Sequence, residues 1–291
     1  MTFAIGVISM QFVRPFTNSD LVLLPGLREL GFDFLELLVP EPEDGLDLGR
    51  LRQALAASGL DVVLAARVNA RRSITSDDAG DRRGGLDYLR HCIDIASEIG
   101  ADLIGGPLYG GPLVFAGRAP APVHEDERKA RFERAVEGLT KASQHASRAG
   151  VRLAIEPLNR FETDIVSTTA QGIELVDAID SPALGLLLDS FHMNVEENSI
   201  TDALRLAGSR ILHFQANENH RGFPGTGHLP WTAIGSALHE VGYHGRVCLE
   251  PFRRGDERFA VPLAQWRPPA KDESAELKAA IAFIRDAFAP P

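Results

Sequence analysis

The sequence predicts an α/β fold, a closed (β/α)8 barrel of the TIM type that takes in the whole chain, 1–291, as one domain. Three observations lead there. Short aliphatic and β-branched runs alternate eight times with longer segments whose apolar residues recur three and four apart. Strict alternation implies parallel strands, because each crossover must return the chain to the same end of the sheet. Eight such units in 291 residues fit a closed barrel. A doubly wound open sheet would use about five or six strands.

In chain order the strand-like runs are Phe3 to Ser9, Phe32 to Leu38, Asp61 to Ala66, Ala101 to Gly105, Val151 to Glu156, Leu184 to Asp189, Ile211 to Ala216 and Arg246 to Glu250. Helix-period segments such as Leu86 to Ile99 and Glu125 to Arg148 lie between them. The joints differ by type. Helix-to-strand joints are short and carry Gly31, Gly59, Gly100, Gly150, Gly242 and Gly245, which suits the left-handed turn that ends a helix. Strand-to-helix joints are longer: Pro40 to Asp47, Asn69 to Arg82, Pro107 to Val123 and Arg253 to Ala270. Long loops on one face are how such barrels build a site at the C-terminal ends of their strands. Gly105 to Pro122 and the segment around Trp266 are candidate lids. No linker, low-complexity stretch or charge block divides the chain.

Composition narrows the function classes. Forty acidic against thirty basic residues give a net charge of -10, which repels phosphate backbones and disfavours nucleic-acid binding. No apolar run approaches the roughly 20 residues that span a bilayer. Met1 leads directly into a strand-like run without a signal-like segment, so the expected location is the cytoplasm. Cys92 and Cys248 lie far apart in apolar stretches and read as two buried thiols in a reducing compartment.

The chemistry gathers at the ends of the last four strands. Glu156 follows Leu-Ala-Ile, Asp189 follows Leu-Leu-Leu, Gln215 lies in His-Phe-Gln-Ala and Glu250 follows Val-Cys-Leu. In a barrel this spacing brings all four to one rim. A lone acidic residue at a strand end is most often a helix cap or a solvated group. Three carboxylates in register with a carbonyl-bearing Gln would repel one another, and a divalent cation resolves the conflict. Oxygen-rich ligation favours Mn2+ or Mg2+.

Longer stretches carry a family resemblance. Glu156-Pro-Leu-Asn-Arg-Phe-Glu162-Thr, Leu188-Asp189-Ser-Phe-His192-Met-Asn-Val-Glu-Glu and His220-Arg221-Gly-Phe-Pro-Gly-Thr-Gly227 resemble the ketose 3-epimerases of the D-tagatose and D-allulose 3-epimerase type. Gly106-Pro-Leu-Tyr109 and the late Gln265-Trp-Arg look like the same family. The resemblance covers essentially the whole chain, most densely from 150 to 252. It implies membership of the wider xylose-isomerase-like superfamily of metal-dependent barrels, beside inosose and hydroxypyruvate isomerases.

Carried over by residue, the resemblance makes Glu156, Asp189 and Glu250 metal ligands, and makes Glu156 and Glu250 the pair that exchange a proton on opposite sides of a sugar carbon. Glu162, His192 and Arg221 would hold substrate oxygens. One position departs: the ketose epimerases have a His-x-His pattern where this chain has His213-Phe-Gln215. Hydroxypyruvate isomerases look similar there, with His-x-Gln followed by Ala, so Gln215 becomes the remaining ligand. The implied cofactor is one divalent metal, Mn2+ or Mg2+, with Co2+ able to substitute. The implied reaction removes a proton beside a carbonyl, and the metal stabilises the charge of the resulting enediolate. A second carboxylate on the opposite face returns the proton. A homodimer or homotetramer is implied too, with apolar residues of the late helices as its contact.

Other readings stay in play. A lyase acting on a 3-oxo-glycoside would use the same proton abstraction, as would a hydroxypyruvate- or inosose-type isomerase or dehydratase. Abasic-site endonucleases share the barrel but use more His ligands and a basic face, and this chain has neither. A non-catalytic sugar-binding barrel would leave the sugar's protons unexchanged. Among single residues, His213 reads as a core or supporting histidine, and Glu36 as a structural hydrogen-bonding group. Arg67 points either into the site or into a salt bridge. His220, His228, His239 and His244 read as solvated. Asn69, Arg71 and Arg72 form a basic cluster that most simply faces water. Gly225 and Gly227 lack the context of a dinucleotide fingerprint.

Overall fold

The computed structural model describes residues 3–111, 123–252, 265 and 268–290. Eight parallel strands close into a barrel in chain order: β1 (Ala4–Ile8), β2 (Phe34–Leu38), β3 (Asp61–Ala65), β4 (Leu103–Gly106), β5 (Arg152–Ile155), β6 (Leu184–Asp189), β7 (Ile211–Ala216) and β8 (Arg246–Leu249). Pairing of β1 with both β2 and β8 closes the sheet. Around it run α1 (Leu24–Leu30), α2 (Leu48–Ser58), α3 (Ala79–Ile99), α4 (Glu125–Ala149), α5 (Thr169–Ile179), α6 (Ser190–Glu196), α7 (Ile200–Ala207), α8 (Trp231–Glu240) and α9 (Glu273–Ala287).

Successive strand residues face opposite sides of the sheet, which divides the core in two. Outward residues such as Leu35, Leu37, Leu153, Leu188, Phe214 and Val247 pack against the helices in one continuous buried shell. Inward residues fill the lumen, among them Ile8, Phe34, Val63, Leu103, Leu187 and Cys248. Large residues fit there because small ones stand opposite. A Cβ at Gly105 would lie 2.5 Å from Leu187 Cδ1, and one at Gly6 would enter the ring of Phe34. The filled lumen leaves polar chemistry to the C-terminal mouth.

The joints follow from local chemistry. Helices α1 to α4 end on Gly31, Gly59, Gly100 and Gly150, each in the left-handed conformation. Gly245 caps no helix; a side chain there would strike the Tyr243 ring. Asp47, Asp78, Thr168, Ser199 and Asp272 cap helix N-termini through their side-chain oxygens. Helix α3 therefore starts at Ala79, earlier than the apolar period from Leu86 predicts. Its Gly84 and Gly85 weaken that period and let the helix lie against the backbone of Arg71, Ser73 and Ile74. Of the two candidate lids, Pro112 to Pro122 and Trp266 fall outside the described residues. Both cysteines are buried and free. Among the described residues, no helix is long and apolar enough to cross a membrane.

Candidate active site

Register places the rim residues. Asp189 closes β6 and pairs with Gln215 of β7, while Gln215 also pairs with Cys248 of β8. Cys248, Ala154 and Leu187 face the lumen. Two residues further on, Glu250, Glu156 and Asp189 must face it as well. Glu156 and Glu250 lie one position beyond β5 and β8. All four rim residues are buried.

Their burial has an electrostatic cost. It pushes the Glu156 carboxyl well above the usual carboxylate range, with Glu250 and Asp189 adding to the effect. Glu250 is pushed up by burial against the pull of Arg221. Burial raises Asp189 to about 6, although Arg221 and a hydrogen bond from Asn217 pull it down. Arg221 is the guanidinium in this cluster. Its Nη1 lies 3.0 Å from Glu162 Oε1 and its Nη2 lies 3.5 Å from Glu250 Oε2. The rings of Phe191 and Phe252 flank it at 4.7 and 4.3 Å, which holds the cation in plane. Its backbone is left-handed, at φ 56, and its carbonyl accepts from the Phe252 N–H at 3.0 Å.

His192 has one available tautomer. Its Nδ1 accepts from the backbone N–H of Asn159 at 3.1 Å, so the ring proton sits on Nε2. That nitrogen lies 3.5 Å from Glu156 Oε1 and 3.6 Å from Asp189 Oδ2. Burial, with Arg221 nearby, lowers the His192 pKa well below its ordinary value and keeps the ring neutral. His192 is thus a neutral donor aimed at the carboxylates.

Several further residues support the rim. Asn217 donates through Nδ2 to Asp189 Oδ2 at 3.0 Å and to Glu250 Oε2 at 3.3 Å, joining two rim carboxylates. Its place two residues after Gln215 was a usable clue. Asn159 Nδ2 reaches Glu162 Oε1 at 3.0 Å, and nothing in the local pattern announces it. The Tyr109 hydroxyl donates to the backbone oxygens of Glu156, at 2.9 Å, and Val166, at 3.2 Å, fixing the start of the β5–α5 loop. Glu36 crosses the lumen from β2 to meet His213 Nε2 and Gln215 Nε2, each at 2.6 Å. This is the structural role expected of it, and His213 is a supporting histidine.

The loop bearing Arg221 is organised by Glu218. Its carboxylate accepts from Trp231 Nε1 at 2.8 Å and from the backbone N–H groups of Gly225, Leu229 and Asn219 at 3.0 to 3.2 Å. Gly227 leaves room for this carboxylate, and a Cβ at Gly225 would strike Phe283. The remaining candidates lie elsewhere. Arg67 forms ion pairs with Asp44 at 3.4 Å and Glu41 at 3.5 Å, so the salt-bridge alternative holds. Arg72 departs from the water-facing expectation: it is paired to Glu41 at 2.6 Å and stacked on Tyr88 at 4.2 Å. His239 is likewise not simply solvated; it meets the Phe288 carbonyl at 2.9 Å and packs on Phe3. His244 and His228 are exposed.

The rim suits a divalent cation. Ligand-capable atoms of Glu156, Asp189 and His192 lie within 4.8 Å of one another. His192 is disqualified by its Nε2 proton, which leaves it no lone pair to offer there. Gln215 Oε1, in contrast, is buried with no hydrogen-bond partner. Carboxylates together with a neutral carbonyl oxygen are a hard donor set. Atoms of a second group, Glu36, His213 and Cys248, also lie within 4.8 Å of one another. There the Glu36–His213 hydrogen bond explains the closeness, and burial keeps the Cys248 thiol protonated.

Residues 26–287 match the xylose isomerase-like TIM barrel family, and the chain belongs to that family. It is 32% identical over 286 residues to the L-ribulose 3-epimerase of Mesorhizobium japonicum, covering 96% of this chain and 92% of that one. With the D-psicose 3-epimerase of Agrobacterium fabrum it shares 31% identity over 244 residues, or 83% and 82% of the two chains. A solved structure of an L-ribulose 3-epimerase matches with a TM-score of 0.90 at 32% identity, over 99% of this chain and 95% of the other. Within the barrel family these relatives are ketose 3-epimerases, so the protein is an enzyme of the isomerase class.

Proposed function

We propose that the protein epimerises a ketose at C3, with Glu156 and Glu250 exchanging the proton on the two faces of that carbon. The observation that carries this reading is the state of those two carboxyls. Both are buried, both have proton affinity raised by burial, and they rise from the non-adjacent strands β5 and β8. A carboxyl whose proton affinity is raised in this way is a stronger proton acceptor than an ordinary carboxylate. The names of the relatives, D-psicose and L-ribulose 3-epimerases, support a ketose as substrate.

The chain's own groups divide the work. One carboxylate withdraws the C3 proton and the other delivers a proton to the opposite face, with roles reversed in the reverse reaction. His192 donates from Nε2 to a substrate oxygen, Arg221 neutralises developing charge, and Glu162 accepts from a sugar hydroxyl while anchoring Arg221. Glu156, Asp189, Gln215 and Glu250 would hold one Mn2+ or Mg2+, with Co2+ able to substitute; when bound, it supplies Lewis-acid stabilisation of negative charge on the substrate oxygens. The protein works as a single-domain chain in a homodimer or homotetramer. Its two free buried thiols and net charge of -10 support a reducing cytoplasm and a small sugar, not a nucleic acid or membrane, as partner.

The test is incubation of the metal-loaded enzyme in D2O with D-fructose, L-ribulose or a 3-oxo-glycoside. Deuterium at C3 together with the C3 epimer of a ketose is the expected result. Turnover of the 3-oxo-glycoside alone, by loss of its leaving group, would replace the epimerase by a lyase.

A further inference from the structure

Gln215 presents a difficulty that an imidazole does not. Its amide ends in an oxygen that attracts a cation and an NH2 that repels one, and the two have nearly the same shape. Only one of the two orientations can serve as a ligand.

The choice is made from below the rim. Glu36 presents one carboxylate oxygen to Gln215 Nε2 and the other to His213 Nε2, each at 2.6 Å. His213 and Gln215 are alternate residues of β7, so one rigid strand grips both oxygens. Rotation of the Glu36 carboxylate would break both hydrogen bonds. A carboxylate accepts, so the amide group facing it is the NH2. The amide oxygen is then left buried with no partner, on a residue paired with Asp189 across the β6–β7 ladder.

We infer that Glu36 is a positioning residue that turns the Gln215 amide so that its oxygen serves the cation, with His213 bracing Glu36. The inference rests on the reading of Gln215 as a ligand. Glu36 touches neither substrate nor cation; it acts by removing the wrong orientation. A residue at 215 with two equivalent oxygens would have no use for it, and would be repelled by it.

Manganese titration calorimetry on metal-free protein tests this in four variants, with the melting temperature of each metal-free form as a check on folding. Glu36→Gln should weaken Mn2+ binding about 10- to 100-fold, the usual scale for a partner that orients a ligand. In the Gln215→Glu background the same substitution should strengthen binding, because it removes a like charge from beside the new carboxylate. That reversal of sign is the signature of orientation. Equal weakening in both backgrounds would reduce Glu36 to a packing role and overturn the inference. Gln215→Ala separates the two levels of argument. If it leaves Mn2+ affinity unchanged, the ligand assignment itself fails. If it weakens binding while Glu36→Gln does not, only the role of Glu36 fails. Should Glu36→Gln not fold, a wild-type crystal soaked in Mn2+ decides. Gln215 oxygen on the cation with its nitrogen still on Glu36 supports the inference, and the reverse orientation overturns it.

Discussion

Glu156 and Glu250 share burial and raised proton affinity but differ in their neighbours, since His192 Nε2 lies 3.5 Å from Glu156 and Arg221 lies 3.5 Å from Glu250. Replacing either by Gln keeps a carbonyl oxygen while removing the proton acceptor. Each variant should retain weakened Mn2+ binding and lose several orders of magnitude in turnover, with no deuterium entering C3 of D-fructose in D2O. Exchange at near wild-type rate in both would move the acid–base roles to other groups. Gln215→His should keep the metal yet change the relative rates on different ketoses; complete loss of metal from a folded variant would show a pocket unsuited to imidazole. The rim residues were legible because each stands at or beside the C-terminal end of a strand run, and strand periodicity converts that position into a direction. Asn159 and the partners of Glu36 were not. Asn159 acts from an irregular loop, and the partners of Glu36 lie on a strand that only barrel closure brings opposite β2.

Strands β6 and β7 coincide with their runs in the sequence; β6 reads as an apolar segment ending in Asp189, and β7 as an aliphatic and aromatic run with polar residues at alternate positions. The start of α3 was less visible because a side-chain cap and a glycine pair, not apolar spacing, determine it. Helix α6 has no apolar period to mark it either. It is short, begins at the residue after β6, and has Asp189 as its cap, with Oδ1 accepting from Phe191 N at 2.7 Å. The lumen supplies a prediction at this scale. Gly105→Val would drive a side chain into Leu187, and overpacking of this kind costs about 1–3 kcal/mol. Denaturant unfolding should show that loss, and an unchanged midpoint would mean that β4 can shift outward without penalty.

For the molecule as a whole, the proposed ligation by the rim carboxylates would couple metal binding to pH. In the metal-free fold Glu156, Asp189 and Glu250 hold protons more tightly than they would in the unfolded chain, through burial first. Groups raised in this way favour folding when protonated, and that advantage fades as pH rises through their folded values, about 6 for Asp189. A cation replaces the protons, so the gain in melting temperature on adding Mn2+ should grow between about pH 5 and pH 7.5. An equal gain across that range would place the cation away from these carboxylates. Light scattering at micromolar concentration should report a dimer or tetramer, and a monomer would refute that assembly. The half-exposed Phe283 of α9 is one apolar residue available to such a contact.

The hydrogen bonds of Glu218 bear on how such a site can be altered by design. Its four donors all lie between Asn219 and Trp231, so the segment that carries Arg221 is tied to itself more than to the barrel. It can therefore be treated as a cassette. Libraries that vary His220, Thr226 and His228 while keeping Glu218, Gly225, Gly227 and Trp231 should yield mostly folded clones. Libraries that vary Glu218 should yield mostly insoluble ones, because the buried Leu229 N–H and Trp231 Nε1–H then lack an acceptor. Sorting expressed variants by solubility before any assay would reveal that division, and its absence would mean that the barrel, not Glu218, shapes the loop.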